Sequence, residues 1–254
     1  MTETVLQVAD ISKSFSGVKV VANATFSIEL NSIHAIIGPN GAGKTTLISL
    51  LDGALPVDSG SILFKGRNIQ RLPRHNRVQL GLTRSFQITS IFPEMSVLEN
   101  VALSVQAKMG ASYTRMWKSA RNDSFLVEPA LKFLNRVRLS ENAHRRAGTM
   151  SHGEHRQLEI AMALATKPTL LLLDEPMAGL GAEESSQMIN LIKTLSSDHS
   201  ILLIEHDMNA VFMLANFISV MVRGQIIRTG PPNVIRSDEQ VRAAYLGDTD
   251  FSNA

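Results

Sequence analysis

The chain has 254 residues, of which 44% are hydrophobic and 19% are charged, with a formal net charge of +2 and no cysteine. This composition is typical of one globular domain, with or without an inserted subdomain, and it excludes a disulfide framework and a thiolate metal site. The sequence lacks a secretory signal pattern, an apolar run near the roughly 20 residues that span a bilayer, and the dense basic stripe that indicates nucleic acid as a partner.

The first part of the chain is predicted to build strands around one helix. Residues 4–9 and 19–29 alternate apolar and polar side chains, which indicates half-buried strands of an antiparallel edge sheet. Residues 33–38 form a short apolar run that ends in glycine, a pattern typical of a strand buried on both faces. A helix is predicted over residues 43–55 and another strand over residues 59–64.

The middle of the chain changes to helical spacing. Apolar residues recur at helical intervals in residues 96–109 and 128–139, with a polar and basic stretch between them. We therefore expect a helical insertion over about residues 88–153, within an α/β core of about residues 1–87 and 154–248.

Helices and strands alternate in the remainder of the chain. The predicted order is helix 153–166, strand 169–174, helix 182–196, strand 200–205, helix 208–215 and strands 217–222 and 225–229. Strands that alternate with helices imply a mainly parallel sheet covered on both faces. We expect a single domain over residues 1–248, followed by a frayed, disordered tail over residues 249–254.

A phosphate-binding loop is predicted between the apolar strand and the first helix. The segment "GPNGAGKTT" matches the pattern G-x-x-x-x-G-K-[ST] in the strand–loop–helix context that the motif requires. Its glycines allow backbone N–H groups to turn toward phosphate oxygens, and the helix N-terminus adds partial positive charge. The lysine can reach the β- and γ-phosphates, and the threonine hydroxyl after it can bind Mg²⁺. The predicted nucleotide-binding residues of this loop are Gly38, Pro39, Asn40, Gly41, Ala42, Gly43, Lys44, Thr45 and Thr46.

Two acids follow a run of four leucines in the segment "LLLLDE". Ionised carboxylates at the end of a buried strand are costly unless a positive group meets them. In phosphate-loop proteins a second strand ends in an acid that holds Mg²⁺, which makes Asp174 a predicted metal ligand together with Thr45. Glu175, one residue later, is suited to orient or deprotonate the attacking water. The positive partners of the two acids are then the metal and Lys44.

The order of the motifs resembles that of the nucleotide-binding subunits of ABC transporters, over about residues 4–248. After the phosphate loop come Gln87 in "RSFQ", the signature-like "MSHGE" at residues 150–154, "LLLLDE", and His206 in "LLIEHD". The stretches "RSFQITSIFPEMSVLENV", "LEIAMALATKPTLLLLDEPMAGL" and "AYLGD" are similar to the branched-chain amino-acid uptake branch of this family.

The resemblance implies a fold and several residue roles. The fold would be a phosphate-loop NTPase (RecA-like) α/β core with an antiparallel β edge subdomain and an inserted helical subdomain. Gln87 would contact Mg²⁺ or the lytic water, and His206 would sense the γ-phosphate, so that Lys44, Glu175 and His206 form the catalytic set. Phe15 matches the position of the aromatic side chain that stacks on adenine, and packing in the core is the alternative role for this ring.

The signature-like segment predicts an anion site. Ser151 and Gly153 form a Ser-X-Gly turn before a helix, which offers a hydroxyl, free N–H groups and a helix N-terminus. In the family this turn closes on the γ-phosphate bound to the other subunit, so one chain makes half a site. Glu154 replaces the usual glutamine, and it either meets Arg156 or a ribose hydroxyl, or points away from the triphosphate. Gly181 stands where many relatives carry an aspartate that crosses to the partner.

The resemblance also implies partners, a cofactor and a location. The chain would bind ATP and Mg²⁺ and pair with a second ATPase subunit, either a paralogue or itself. It would dock two transmembrane permease subunits through the helical insertion and the Gln87–Glu99 region, and serve a periplasmic solute-binding protein indirectly, at the cytoplasmic face of the membrane. The implied activity is ATP-driven import of branched-chain or related amino acids. A urea or amide importer, a lipopolysaccharide exporter and a non-transport ABC ATPase are the alternatives.

Overall fold

The computed structural model describes residues 3–85, 91–109 and 123–244. The predictions for Gln87 and for the tail over residues 249–254 fall outside these described residues.

An antiparallel edge sheet forms from the first part of the chain, as predicted. Its strand order is β2-β1-β4-β5, with β1 over Thr4–Phe15, β2 over Val18–Glu29, β4 over Ser59–Phe64 and β5 over Arg67–Asn68. Strand β1 continues six residues past the predicted end at residue 9. The register of its pairing with β2 shifts between Val8 and Ile11, where Asp10 has a left-handed φ of 53°. This bulge breaks the alternation of apolar and polar residues on which the prediction rested.

The second sheet is mainly parallel and has six strands in the order β10-β9-β3-β8-β7-β6. Its strands are β3 over Ile33–Ile37, β6 over Leu82–Arg84, β7 over Leu170–Asp174, β8 over Ser200–Ile204, β9 over Phe217–Val222 and β10 over Gln225–Gly230. Among the strands described for this sheet, β10 alone runs antiparallel to its neighbour. The sequence did not predict β6, because three residues are too few to show a period.

Nine α-helices are present in the described part of the chain. They are α1 over Lys44–Asp52, α2 over Arg74–Leu80, α3 over Val97–Met109, α4 over Ser124–Arg136, α5 over His152–Ala165, α6 over Ala182–Leu195, α7 over Met208–Leu214, α8 over Pro232–Ser237 and α9 over Glu239–Ala244. The six helices predicted from the sequence are confirmed within a few residues, whereas the short helices α2, α8 and α9 were not predicted. None of the helices described combines the length and the apolar character of a membrane span.

Apolar side chains cover both faces of the parallel sheet, as predicted. Ile33, Ala35 and Ile37 point into one hydrophobic cluster, which they share with helices α3 to α7. Ile36 belongs to the other cluster, which joins α1 to the edge sheet. Helices α3, α4 and α5 pack on one another. The division into a core and a helical insertion at residues 88–153 stays a prediction.

His34 is a buried polar residue of the central strand β3. Its Nε2 atom lies 2.8 Å from Ser219 Oγ, and its ring centroid lies 5.7 Å from that of Phe26 and 6.5 Å from that of Phe217. Burial lowers the pKa of His34 from 6.5 to about 4. The folded protein therefore holds this imidazole neutral at a pH where the unfolded chain protonates it.

We expect acid to destabilise the protein through His34. Because the pKa is lower in the folded state, the stabilisation is fully present above pH 6.5 and is lost as the pH falls toward 4, by about 3 kcal/mol. Urea unfolding at pH 7 and pH 4 measures this loss in the wild type and in His34→Gln, in which all other titrating groups are the same. Between pH 7 and pH 4 the free energy of unfolding should fall by about 3 kcal/mol less in His34→Gln than in the wild type. Equal falls in the two proteins would contradict the assignment of this loss to His34.

Candidate active site

The loop between β3 and α1 contains glycines at positions where the backbone geometry requires them. Gly43 is the N-cap of α1 and has a φ of 102°, in the left-handed region that favours glycine. A Cβ atom at Gly43 would lie 2.6 Å from Val20 O, and one at Gly38 would lie 2.0 Å from Met221 O. The close approach of neighbouring backbone therefore excludes larger residues at both positions.

Lys44 is the first residue of α1, and its side chain folds back into this loop. Its Nζ atom donates hydrogen bonds to Gly38 O at 2.6 Å and to Pro39 O at 3.1 Å. Burial lowers the pKa of Lys44, while the negative charges of Glu175 and Asp174 raise it. The structure thus brings the predicted lysine and both predicted acids within electrostatic reach of one another.

The two acids lie where β7 ends at the carboxyl edge of the sheet, the edge at which ligands of open α/β sheets bind. The four leucines of β7 are fully buried, and Asp174 is its last residue. Glu175 then takes a left-handed φ of 50°, while its N–H donates to Ile204 O at 2.8 Å. This hydrogen bond to the end of β8 stabilises the left-handed backbone at Glu175 and so fixes the position of its carboxylate.

The ion pair of Asp174 differs from the sequence-based expectation. Its Oδ2 atom accepts a hydrogen bond from Arg84 Nη2 at 2.7 Å, and both side chains are more than 90% buried, with exposed fractions of 8% and 9%. Lys44 acts on Asp174 through its charge. Sequence reasoning missed Arg84, which ends β6, although β6 and β7 are neighbouring parallel strands whose carboxyl ends share one edge.

His206 and Glu205 follow β8 at the same edge. The side chain of His206 is 61% exposed, so its ring is open to a ligand. Glu205 is buried and accepts hydrogen bonds from Met177 N at 2.8 Å and His206 N at 3.1 Å. Burial raises the pKa of this carboxyl, which the backbone donors partly offset. Glu205, which sequence reasoning also missed, ties the segment after Glu175 to the backbone of His206.

Phe15 ends β1 on the surface of the edge sheet. Its side chain is 41% exposed, and Lys13 Nζ lies 5.6 Å from its ring centroid. This exposure removes core packing as the alternative role for the ring. Stacking on adenine stays a prediction.

The signature-like turn begins helix α5 with a capping box. Ser151 Oγ accepts a hydrogen bond from Glu154 N at 3.2 Å, and Glu154 Oε2 accepts one from Ser151 N at 2.7 Å. Glu154 Oε1 also accepts from Arg145 Nη1 at 2.9 Å and from Asn142 Nδ2 at 3.1 Å. The carboxylate therefore folds back onto its own helix and has a positive partner.

The cation that meets Glu154 is not the one that the sequence suggested. Arg156 donates instead to the buried Glu159, from Nη1 to Oε2 at 3.0 Å. Arg145 lies in the loop before the helix, nine residues from Glu154, so no helical spacing could have indicated the pair.

Ser151, Gly153 and Glu154 line a cavity of about 340 Å³ together with residues of α6. Glu184 of α6 approaches Gly153 so closely that a Cβ atom there would lie 2.7 Å from its Oε1 atom. The lining of this cavity contains no residue of the phosphate loop. Phe15 apart, the predicted site residues that the structure describes thus form two separate groups, one at the sheet edge and one at the start of α5.

Comparison with known proteins identifies the family. The sequence pattern of the ABC transporter family matches residues 21–178. The high-affinity branched-chain amino acid transport ATP-binding protein BraF of Pseudomonas aeruginosa is 36% identical over 254 residues, which cover 98% of this chain and 100% of that protein. The chain belongs to the ABC transporter family of ATP-binding proteins. The high-affinity branched-chain amino acid transport ATP-binding protein LivG of Escherichia coli K12 is also 36% identical, with the same coverage.

Solved structures agree with this membership and confirm the predicted fold of the ABC ATP-binding chain. The crystal structure of the ADP conformation of MJ1267, an ATP-binding cassette of an ABC transporter, matches with a TM-score of 0.87 and 30% identity, over 97% of this chain and 100% of that one. The dimeric structure of MJ0796, a bacterial ABC transporter cassette, matches with a TM-score of 0.75 and 20% identity, over 89% and 98% of the two chains, which shows the common fold.

Proposed function

We propose that this chain is the ATP-hydrolysing subunit of an importer for branched-chain or related amino acids. The observation that carries the ATPase assignment is the placement of Lys44 at the start of α1 and of the two acids at the carboxyl end of β7, within electrostatic reach of one another. The solute class rests on the relatives named for branched-chain amino acid transport and on the match of residues 225–250 to the pattern described as a branched-chain amino acid ATP-binding cassette transporter.

The phosphate loop supplies the binding energy for the triphosphate. Its N–H groups and the N-terminus of α1 favour the phosphate oxygens. Lys44 now donates to Gly38 O and Pro39 O, and on binding it would exchange these carbonyls for oxygens of the β- and γ-phosphates. The exposed ring of Phe15 would stack on adenine, an interaction worth roughly 1–3 kcal/mol for a nucleic-acid base on an aromatic side chain.

Mg²⁺ is assigned to Thr45 and Asp174, with Gln87 as the remaining predicted ligand. Thr45 lies exposed in the first turn of α1, and Asp174 ends β7, so the chain offers a hydroxyl and a carboxylate. Mg²⁺ prefers such hard oxygen ligands, and it is commonly bound by one or two carboxylates and the phosphates of the substrate. When bound, the metal would neutralise part of the charge on the phosphates.

Glu175 and His206 are the residues for the chemical step. The carboxylate of Glu175 would accept a proton from the attacking water as the water oxygen bonds to the γ-phosphorus. The bond from that phosphorus to the β–γ bridging oxygen then breaks, and ADP and phosphate are released. His206, at the end of the neighbouring strand β8, would hold the γ-phosphate by a hydrogen bond. Such positioning and charge stabilisation supply most of the catalysis in phosphoryl transfer.

The complete site needs a second ATPase chain. Ser151 caps α5 and still has a hydroxyl proton to donate, and the pairing of Glu154 with Arg145 limits the repulsion that an acid would exert on a triphosphate. These residues would close on the γ-phosphate bound to a partner, which is either a paralogue or a second copy.

The remaining partners would be membrane components. Two permease subunits would dock on the helical insertion and the Gln87–Glu99 region, where the side chain of Phe92 is exposed, and a periplasmic solute-binding protein would act through them. This assembly would hold the chain peripherally at the cytoplasmic face of the membrane. A relative at 32% identity is the lipopolysaccharide export system ATP-binding protein LptB of Haemophilus influenzae, but its identity is lower than that of the branched-chain relatives.

Glu175→Gln tests the base assignment. The change keeps the size and most hydrogen bonds but removes the proton acceptor, so ATP binding should stay intact while hydrolysis slows by about 10²–10⁴-fold. Steady-state phosphate release and equilibrium ATP binding measure the two effects, and Glu183→Gln, at an exposed position of α6, is the matched control. Turnover within about twofold of the wild type would show that Glu175 is not the base.

The solute class has a separate test in the native complex, reconstituted with its permeases and binding protein. Leucine, isoleucine or valine should raise the rate of ATP hydrolysis, because loaded binding protein favours the state in which the two ATPase chains close. Urea, acetamide and lipopolysaccharide serve as comparison solutes. Stimulation by one of these, without stimulation by the branched-chain amino acids, would refute the solute assignment and leave the ATPase assignment standing.

A further inference from the structure

Arg84 links the proposed metal acid to the helix that follows the phosphate loop. It is the last residue of β6, and its Nη2 atom donates to Asp174 Oδ2 at 2.7 Å. Its Nη1 atom lies 3.2 Å from Asp52 Oδ2 and 3.2 Å from Ser49 Oγ. One guanidinium therefore contacts both β7 and α1.

Asp52, which accepts a hydrogen bond from Nη1 of this guanidinium, is itself held in place by other contacts. It is the last residue of α1 and is almost fully buried. Its Oδ1 atom accepts a hydrogen bond from Ala54 N at 2.8 Å, and its Oδ2 atom also lies 3.3 Å from Arg74 Nη2. Asp52 is thus fixed by the backbone that follows the helix and by a second cation.

This arrangement sets the relation between the two halves of the proposed site. Helix α1 begins with Lys44 and Thr45, the residues proposed above for the phosphates and the metal, and ends at Asp52. Strand β7 ends at Asp174. A single planar group that binds acids on both elements holds the carboxylate of Asp174 at a defined distance from the first turn of α1.

The chemistry of the pair suits a positioning role. A carboxylate offers about four acceptor sites on its two oxygens, so one bond to Arg84 leaves capacity for a metal ion. A guanidinium cannot lose its proton in a protein, and its fork contacts two acids at once, which the single ammonium of a lysine does less well. Arg84 therefore holds the Asp174 carboxylate in place before any metal arrives.

We propose that Arg84 is a positioning residue that fixes the Asp174 carboxylate for Mg²⁺ by tying it to Asp52 at the end of helix α1. This inference rests on the role of Asp174 proposed above. Arg84 and Asp52 would then affect the binding of Mg²⁺, although neither is among its proposed ligands.

The test measures the dissociation constant of ATP by calorimetry, with Mg²⁺ and with EDTA. Loss of a residue that orients a metal ligand typically weakens metal affinity about 10- to 100-fold. Arg84→Met should therefore reduce the gain in ATP affinity that Mg²⁺ gives by about this factor, while ATP affinity in EDTA stays within about threefold of the wild type. Asp52→Asn leaves Arg84 and Asp174 intact but weakens the anchor, and it should reduce the same gain to a smaller extent.

A matched control and a folding check accompany the variants. Arg228→Met removes an exposed arginine that pairs with Asp238, and it should leave the Mg²⁺-dependent gain unchanged. Circular dichroism establishes that each variant is folded, and Asp52→Asn carries the test if Arg84→Met does not fold.

Three results would overturn the inference. Equal loss of ATP affinity with Mg²⁺ and with EDTA would assign Arg84 a merely structural role. An unchanged or larger gain from Mg²⁺ in Arg84→Met would show that the guanidinium does not prepare the acid, or that it competes with the metal. A wild-type protein that binds ATP without any gain from Mg²⁺ would refute the metal assignment itself, which distinguishes that failure from the failure of Arg84 alone.

Discussion

At the carboxyl edge of the parallel sheet, Arg84 pairs with Asp174, and the charge of Lys44 lies within electrostatic reach of both Asp174 and Glu175. The arrangement of the site depends on this concentration of opposite charges. Carboxylates at the end of a fully buried strand would be destabilising without cations, and a largely buried lysine would tend to lose its proton without acids. Each charged group therefore offsets the free-energy cost of burying the groups of opposite charge. The same balance leaves an edge that can accept a triphosphate and its metal.

The edge charges are held by backbone geometry as well as by one another. Gly43 lets α1 begin close to the edge sheet, and the left-handed turn at Glu175 is secured by its N–H bond to β8. Glu205 accepts hydrogen bonds from the backbone N–H of Met177, just after this turn, and of His206. Rigid placement of this kind matters because catalysis by positioning is sensitive to small displacements.

Much of the fold followed from the sequence, since its signals are local. Buried strands such as β3 and β7 carry continuous apolar runs, the longer helices carry apolar periods, and the phosphate loop carries a motif tied to its context. Strand β6 and helices α2, α8 and α9 were not predicted; they are short elements of three to seven residues, which offer few positions for a period to show. The bulge at Asp10 likewise hid the second half of β1.

The partners of the site residues could not be predicted in the same way. Arg84 meets Asp174 across 90 positions of sequence, and Glu205 meets Met177 across 28, so only the folded chain brings them together. For Glu154 the sequence offered Arg156, which is close along the helix, whereas Arg145 from the preceding loop is the cation that reaches it. The roles of Gln87 and of the signature residues toward nucleotide stay predictions.

The central claim is that the edge of the sheet is an anion site completed by Lys44. The most direct measurement is the affinity of Lys44→Met for a fluorescent ATP analogue in EDTA, with Lys193→Met on the exposed face of α6 as the control. Hydrogen bonds to a charged group contribute about 1.5–3 kcal/mol, so affinity should fall by about 10- to 100-fold. A folded Lys44→Met protein that binds the analogue as tightly as the wild type would contradict the account.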